Sequence, residues 1–182
     1  MPPTNELAGS RRVLLELKNL PPKKNFMQKM QFSIKIKAPK EKVWQTLWED
    51  KTLRDWGNII DEGQYMVGEM VEGSEVQFIS SVSGFGVTSV IEKLIPHEYI
   101  VFKQVADTMD SGKQERDKEW TGATESYELI EKNNITNLTV KIDIPPGQEE
   151  TFKVRFPKAL KRVKILAEII SQLEADKNSL PR

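Results

Sequence analysis

The chain has 182 residues, 38% of them hydrophobic and 30% charged, which suits one globular domain with a real core and gives no case for two. Its 27 basic and 27 acidic residues cancel, so charge gives no reason to expect nucleic acid or an anionic membrane surface as a partner. The absence of cysteine excludes disulfides, a thiolate nucleophile and cysteine zinc sites. Carboxylate-only metal sites stay open, but no motif indicates one, and we predict neither a metal nor a cofactor.

No targeting segment stands out. The apolar-rich run near the start covers only Val13 to Leu17 and is interrupted by Glu16, whereas a secretory signal needs about 7–15 apolar residues. No stretch approaches the roughly 20 apolar residues of a membrane span. We therefore expect a cytoplasmic protein without a membrane span.

The N-terminal segment looks separable from the rest of the chain. Two proline pairs bracket a stretch in which Val13, Leu17 and Leu20 fall at helical spacing, which is typical of a docking helix or a loose tail. We predict three parts: an N-terminal extension over 1–28, one domain over 29–175 and a C-terminal tail over 176–182.

The first strong pattern is a strand followed by two short helices. Phe32, Ile34 and Ile36 alternate with polar residues, and Pro39 is suited to the first turn of a helix. The following residues place Val43 and Leu47, and also Trp44 and Trp48, four apart on one broad apolar face. Either Asp50 or Thr52 can cap a second short helix that Gly57 and Asn58 end.

The middle of the chain is rich in β-strand patterns. The polar stretch from Asp107 to Glu119 predicts a long exposed loop, and Asn133-Asn134 predicts a tight hairpin, since asparagine tolerates left-handed backbone. In the final strand Leu138, Val140, Ile142 and Ile144 face one way. Strands are predicted over 32–36, 75–80, 87–94, 99–105, 123–131 and 137–144.

A long helix follows Pro145-Pro146-Gly147 and is predicted to end near Glu174. Pro157 either begins its main part or kinks a longer helix that starts near Glu149, because an interior proline loses a hydrogen bond and clashes with the preceding turn. The helix carries an apolar stripe about 100° wide, formed by Leu160, Val163, Leu166, Ala167, Ile170 and Leu173.

This order of elements resembles the SRPBCC or START-like superfamily and, within it, the family of the activator of the ninety-kilodalton heat-shock protein ATPase. The resemblance covers roughly residues 30–175 and implies an α+β helix-grip fold. In this fold, two short helices follow the first strand, and a long C-terminal helix packs across the concave face of a curved antiparallel sheet. The matching phrases are Ile34 to Trp44, Leu53 to Trp56, Val90 to Ile100, Glu125 to Leu129 and Leu138 to Val140.

The resemblance also implies an internal cavity between the sheet and the long helix. Trp56 and Trp120, near the ends of predicted elements, could edge its mouth. For any single lining candidate the alternative is ordinary core packing. The candidates for lining the cavity are Trp44, Trp48, Phe78, Val90, Phe102, Tyr127, Val140, Leu160, Val163 and Leu166.

Few residues suggest catalysis. His97, the single histidine, lies in a predicted turn and is most simply a solvated loop residue. Glu125 shares a strand face with Tyr127, and a desolvated carboxyl beside a phenol can donate a proton or anchor a ligand. The alternative is that the strand end frays and Glu125 reaches water.

Three functions stay open, and the second and third are implied by the resemblance to the family and its superfamily. The preferred one is a binding protein for a small hydrophobic molecule held in the internal cavity. A chaperone-linked interaction protein, docking through the segment from Val13 to Leu20, is the second. The third is a cyclase or hydrolase that uses the Glu125 and Tyr127 pair, and we expect binding rather than catalysis.

Overall fold

Seven strands and three helices make up the part of the chain that the structure describes. The structure, a computed structural model, describes residues 26–109 and 119–179. The elements follow in the order β1 (Gln28–Ile36), α1 (Lys40–Trp48), α2 (Asp50–Ile60), β2 (Gln64–Val67), β3 (Glu75–Ser80), β4 (Phe85–Ile95), β5 (Tyr99–Met109), β6 (Thr124–Lys132), β7 (Ile135–Ile144) and α3 (Glu149–Ser179).

All seven strands form one curled antiparallel sheet in the order β1-β7-β6-β5-β4-β3-β2. Strands β2 to β7 pair with their neighbours in sequence, and β1 returns to pair with β7 along its whole length. The predicted hairpin is confirmed: Asn133 and Asn134, with φ of 54° and 59°, form the two-residue turn between β6 and β7. The α+β helix-grip architecture is therefore confirmed.

Strands β4 and β5 slip in register twice, between Thr88 and Ser89 and between Ile91 and Lys93. Such bulges increase local twist and help a sheet to curl. Gly86 also permits the close approach of β3 and β4, because a Cβ at this position would lie 2.0 Å from the Phe78 carbonyl oxygen.

The core lies between the concave face of the sheet and the helices. Val43 and Leu47 of α1 and Leu53 of α2 are fully buried, and the Trp56 indole N–H donates to the Leu47 carbonyl at 3.2 Å. In β7 the predicted inward residues Leu138, Val140, Ile142 and Ile144 are all buried, which confirms the alternation. None of the described helices has the length and apolar character that a membrane crossing requires.

The long helix differs from its predicted limits. Helix α3 starts at Glu149, with Pro157 in its interior, and continues to Ser179. The sequence pattern ended it near Glu174. Leu173, placed on the buried stripe, is 55% exposed, because the helix extends beyond the sheet that covers its middle turns.

Three other segments differ from the sequence predictions or lie outside the described residues. The predicted loop beginning at Asp107 starts too early, because Asp107 and Thr108 are buried residues of β5. Strand β2 was not among the predicted strands, since its four residues lie between glycines. The predicted docking segment around Val13 to Leu20 lies outside the described residues.

Candidate functional site

A cavity of about 330 Å³ lies between the concave face of the sheet and the first two turns of α3. Exposed side chains at its rim include Ser83, Glu119 and Arg155. Strands β3 to β7, the end of α2 and the segment at 119–120 all contribute to its wall, so the cavity is a product of the tertiary fold rather than of any local motif.

Most of the wall is aromatic or aliphatic. We call the strand side the floor, which contains Phe78, Val87, Phe102, Gln104, Glu125, Tyr127 and Ile142, and the opposite side the roof, which contains Trp120, Phe152 and Phe156. The Trp120 and Phe152 rings lie 5.4 Å apart, and Phe156 stacks on Phe32 at 4.9 Å. Stacked and tilted contacts of this kind hold aromatic rings in fixed positions.

Glu125 and Tyr127 form a hydrogen-bonded pair on the floor, in which Tyr127 is buried and Glu125 is half-buried. The Tyr127 hydroxyl donates to Glu125 Oε1 at 2.5 Å. Burial raises the pKa of Glu125 to about 7, and the Tyr127 hydrogen bond opposes part of that rise. Burial also raises the pKa of Tyr127 well above its usual value, and the neighbouring carboxylate adds to the rise. Near neutral pH, Glu125 can therefore hold or release a proton.

Gln104 is a second polar group on the floor. It is 3% exposed, and its Oε1 makes no hydrogen bond to any of the described residues. Ser89, its partner in register on β4, is fully buried, and its Oγ is also unpaired among the described residues. Buried polar atoms are nearly always paired, so the unpaired Gln104 oxygen marks a place where the protein alone does not complete its hydrogen bonds.

Asp107 fixes one side of the rim. Its buried carboxylate accepts the backbone N–H of Glu119 and of Trp120, each at 3.1 Å, and the Thr121 hydroxyl at 3.2 Å. These bonds place the Trp120 ring over the cavity. Asp107 therefore supports the roof, although the sequence pattern predicts it in an exposed loop.

Two polar contacts connect the remaining elements of the rim. Arg155 Nη1 of α3 donates to the Ile60 carbonyl at the end of α2 at 2.7 Å. Gln148 Nε2 donates to Glu119 Oε1 at 3.3 Å. The rim therefore joins α2, α3 and the segment after β5 by specific bonds.

The structure brings together only part of the predicted lining set. Phe78, Phe102 and Tyr127 border the cavity, as do the weaker candidates Glu125, Trp56 and Trp120. Val140, Leu160 and Val163 are buried in the core but do not border it, Trp48 is buried behind Phe102 and Tyr127, and Trp44 and Leu166 are half-buried away from it.

Val90 lies on the other face of the sheet. It pairs with Glu75 and Lys103, which are both exposed, whereas the adjacent Ile91 is fully buried. Because Val90 and Ile91 are both aliphatic, hydrophobicity alone does not decide which of them points inward. This prediction is therefore corrected in favour of Ile91 as the inward residue.

Sequence reasoning proposed Trp120 at the mouth of the cavity but missed the two phenylalanines of the roof. Phe152 and Phe156 stand four residues apart in the first turns of α3, and this aromatic pair is a signal that the sequence does contain. Gln104 had no such signal, because a single glutamine in a strand is usually exposed. The predicted stripe lies later in the helix and faces the packed core.

His97 lies away from the cavity. It is an exposed turn residue with φ of 64°, and its ring contacts the edge of Trp44 at 6.0 Å. Within the described ranges, no three Asp, Glu or His side chains converge as a metal site would require.

Solved structures share this fold at low sequence identity. The Aha1 protein of Colwellia psychrerythraea, solved as a dimer, is 23% identical over 79% of this chain and 98% of its own, with a TM-score of 0.61. Protein CV1439 of Chromobacterium violaceum is 18% identical over 77% and 96%, with a TM-score of 0.59. A conserved protein of unknown function from Enterococcus faecalis is 17% identical over 80% and 74%, with a TM-score of 0.56.

Family membership rests on the sequence itself. No curated protein matches the chain. Residues 37–168 match the family described as Activator of Hsp90 ATPase homolog 1-like protein, and they run from the end of β1 to the middle of α3. The chain belongs to this family.

Proposed function

We propose that this protein binds one small, largely apolar molecule in the cavity between the sheet and α3. The observation that carries the proposal is an aromatic cavity with a few buried polar groups on its floor, which is the usual composition of a small-molecule site. The family and its fold, which is of a ligand-binding kind, support the same function.

The size of the cavity limits the ligand. Its volume of about 330 Å³ lies at the lower end of the range of about 300–1,000 Å³ for ligand pockets. A compact molecule of two or three fused rings suits this space better than a long acyl chain. Aromatic walls favour flat ring systems, because rings stack on them at fixed angles.

A proton-transfer enzyme is a second candidate, and one observation favours it. Glu125 combines a desolvated carboxyl, a pKa of about 7 and a phenol at hydrogen-bond distance, which are the properties of a general acid or base that works near neutral pH. The two functions differ in one variant. If the protein only binds its ligand, neither the protein nor Glu125→Gln converts the ligand, and the variant keeps most of the affinity. If the protein is an enzyme, the variant still binds the substrate but no longer converts it.

A chaperone-linked role is suggested only by the family name and by the predicted segment from Val13 to Leu20, which lies outside the described residues. The role of a protein partner therefore stays a prediction. A pull-down with and without residues 1–28 tests it.

Native mass spectrometry of the purified protein tests the binding proposal. We expect a defined molecule bound one to one, released and identified after denaturation. Val87→Phe places a larger side chain on the cavity floor and should abolish the bound mass. Val101→Phe is the matched control, since Val101 is on the other face of the sheet, paired with Lys93 and Ser126. Equal retention by both variants contradicts the proposal.

A further inference from the structure

We propose that the ligand of this cavity carries a neutral hydroxyl group, which Gln104 and Glu125 hold on the floor. The protein would thereby select compact aromatic alcohols over hydrocarbons of the same shape and over carboxylic acids. This inference rests on the proposed binding function and adds the chemical class of the ligand to it.

The first step is the unpaired oxygen of Gln104. This side chain is 3% exposed and borders the cavity, yet its Oε1 has no hydrogen-bond partner in the part of the chain that the structure describes. A buried acceptor without a donor is costly, and the cavity supplies the space for one. Water can occupy this place in the empty protein, and a ligand hydroxyl can replace it. A hydroxyl both donates and accepts, so it satisfies either orientation of the amide.

The second step is the position of Glu125 relative to Gln104. Glu125 lies opposite Phe102 in the register of β5 and β6, and Gln104 is two residues along β5 on the same face. Diagonal neighbours of this kind are separated by about 7–8 Å, a span that one oxygen atom between two long side chains can bridge. The Tyr127 hydroxyl donates to Oε1 of Glu125. A ligand hydroxyl that donates to Gln104 Oε1 can accept a hydrogen bond from Oε2 of Glu125 when that carboxyl is protonated.

The third step is the charge around the site. A ligand carboxylate on the floor would face the Gln104 oxygen and the carboxyl of Glu125, and none of the described floor residues carries a positive charge that would neutralise it. Among the described residues that line the cavity, Arg155 carries the only positive charge, and it is exposed at the rim, where it donates to the Ile60 carbonyl. Burial of an unpaired anion is strongly unfavourable. The floor therefore selects against acids.

Three probes of similar shape test this inference: 2-naphthol, 2-methylnaphthalene and 2-naphthoic acid, each titrated into the whole protein by calorimetry at neutral pH. We expect 2-naphthol to bind about tenfold more tightly than 2-methylnaphthalene, as one added buried hydrogen bond predicts. The acid should bind more weakly than both.

Gln104→Leu should reduce the preference for 2-naphthol over 2-methylnaphthalene to less than about twofold while keeping the affinity for 2-methylnaphthalene. Gln104→Met is a second variant in case the first does not fold. Gln148→Leu is the matched control, because Gln148 lines the rim and not the floor, and it should keep the full preference.

The outcomes separate the two proposals. Equal binding of 2-naphthol and 2-methylnaphthalene overturns the hydroxyl inference and leaves the binding function standing. An unchanged preference in Gln104→Leu overturns the role of Gln104. If none of the three probes binds, both proposals fail.

Discussion

The two ends of the space beneath α3 differ in how they are filled. Beyond Pro157, residues Leu160, Val163 and Ala167 are buried against a core that α1 and α2 complete, and we call this part the packed end. Before Pro157, Phe152 and Phe156 border the cavity, and we call this part the open end. One helix thus covers both a solid core and a hollow.

Trp48 lies where the two ends meet. Its ring meets Phe102 at 5.4 Å and Tyr127 at 4.9 Å, both edge to face, and these two rings form part of the cavity floor on their other side. The packed end thereby holds the floor of the open end in place. The difference teaches that side-chain packing is concentrated at one end of the space beneath α3, whereas the open end provides the cavity in which we propose that a ligand binds.

The largest expected effect is a core truncation at the packed end. Leu160→Ala should lower the free energy of unfolding by about 2–5 kcal/mol, because it creates a void in a filled core. The comparison variant Phe152→Ala, at the half-buried roof, should cost about 1–2 kcal/mol, since it enlarges a space that already exists. Urea denaturation measures both. A larger loss for Phe152→Ala contradicts the division into two ends.

The second effect concerns pH and the floor. The pKa of Glu125 is about 7 in the folded protein against an ordinary 4.5, so the folded state keeps a proton that the unfolded chain releases. Between these pH values the contribution of Glu125 to stability falls as pH rises, by on the order of 3 kcal/mol, and it levels off above about pH 7.

Urea denaturation at a series of pH values from 4 to 8 gives the free energy of unfolding of the protein and of Glu125→Gln. The measured quantity is the difference between the two at each pH. This difference cancels the titration of the other carboxylates. A difference that stays constant with pH, or that changes in the protein's favour as pH rises, contradicts a buried Glu125. Tyr127→Phe should raise the pKa of Glu125 further, because it removes the bond that lowers it.

The third effect is at the rim. Asp107→Asn should lower the free energy of unfolding by about 1–2 kcal/mol, because the amide group replaces one acceptor oxygen with a donor that faces backbone N–H groups. Hydrogen exchange at the Trp120 amide should increase more than exchange in β7. Asp143→Asn is a comparison on β7, two strands away, where the carboxylate accepts hydrogen bonds from Thr124. Unchanged exchange at Trp120 would show that Asp107 does not hold the roof.

The smallest effect is on the surface of the packed end. Arg162 binds both carboxylate oxygens of Asp55, at 2.6 and 2.8 Å, and joins α2 to α3, but both side chains are well exposed. Arg162→Ala should lower the free energy of unfolding by less than about 1 kcal/mol. In high salt this difference should disappear, because salt screens the ion pair in the unmutated protein. A loss as large as that of Leu160→Ala would mean that ion pairs, and not core packing, hold the helix.

The fold could be read from the sequence because local patterns specify it. The alternation in β7, the paired asparagines before it and the proline at the start of α1 each determine a strand, a turn or a helix within a few residues. These signals need no knowledge of distant parts of the chain.

The location of the cavity could not be read in the same way. An apolar helix stripe has the same sequence pattern whether it packs against a core or borders a cavity. Which of the two occurs depends on the volumes of side chains from strands that are distant in sequence. Leu160 and Val163 therefore looked like lining residues, while Phe152 was missed. Because Val90 and its neighbour Ile91 are both aliphatic, the pattern did not determine which of them points inward. The groups that donate hydrogen bonds to Asp107 belong to residues twelve to fourteen positions later, so no local pattern indicates them.

The four tryptophans allow the most direct test of the two-end account. Trp56 and Trp120 border the cavity, Trp48 lies behind its floor, and Trp44 packs at the other side of Trp48. The measurement is the set of indole N–H resonances in a ¹H–¹⁵N spectrum during titration with 2-naphthol. The account predicts large shifts for Trp120 and Trp56, a smaller one for Trp48 and none for Trp44. A shift of Trp44 with Trp120 unmoved would contradict it.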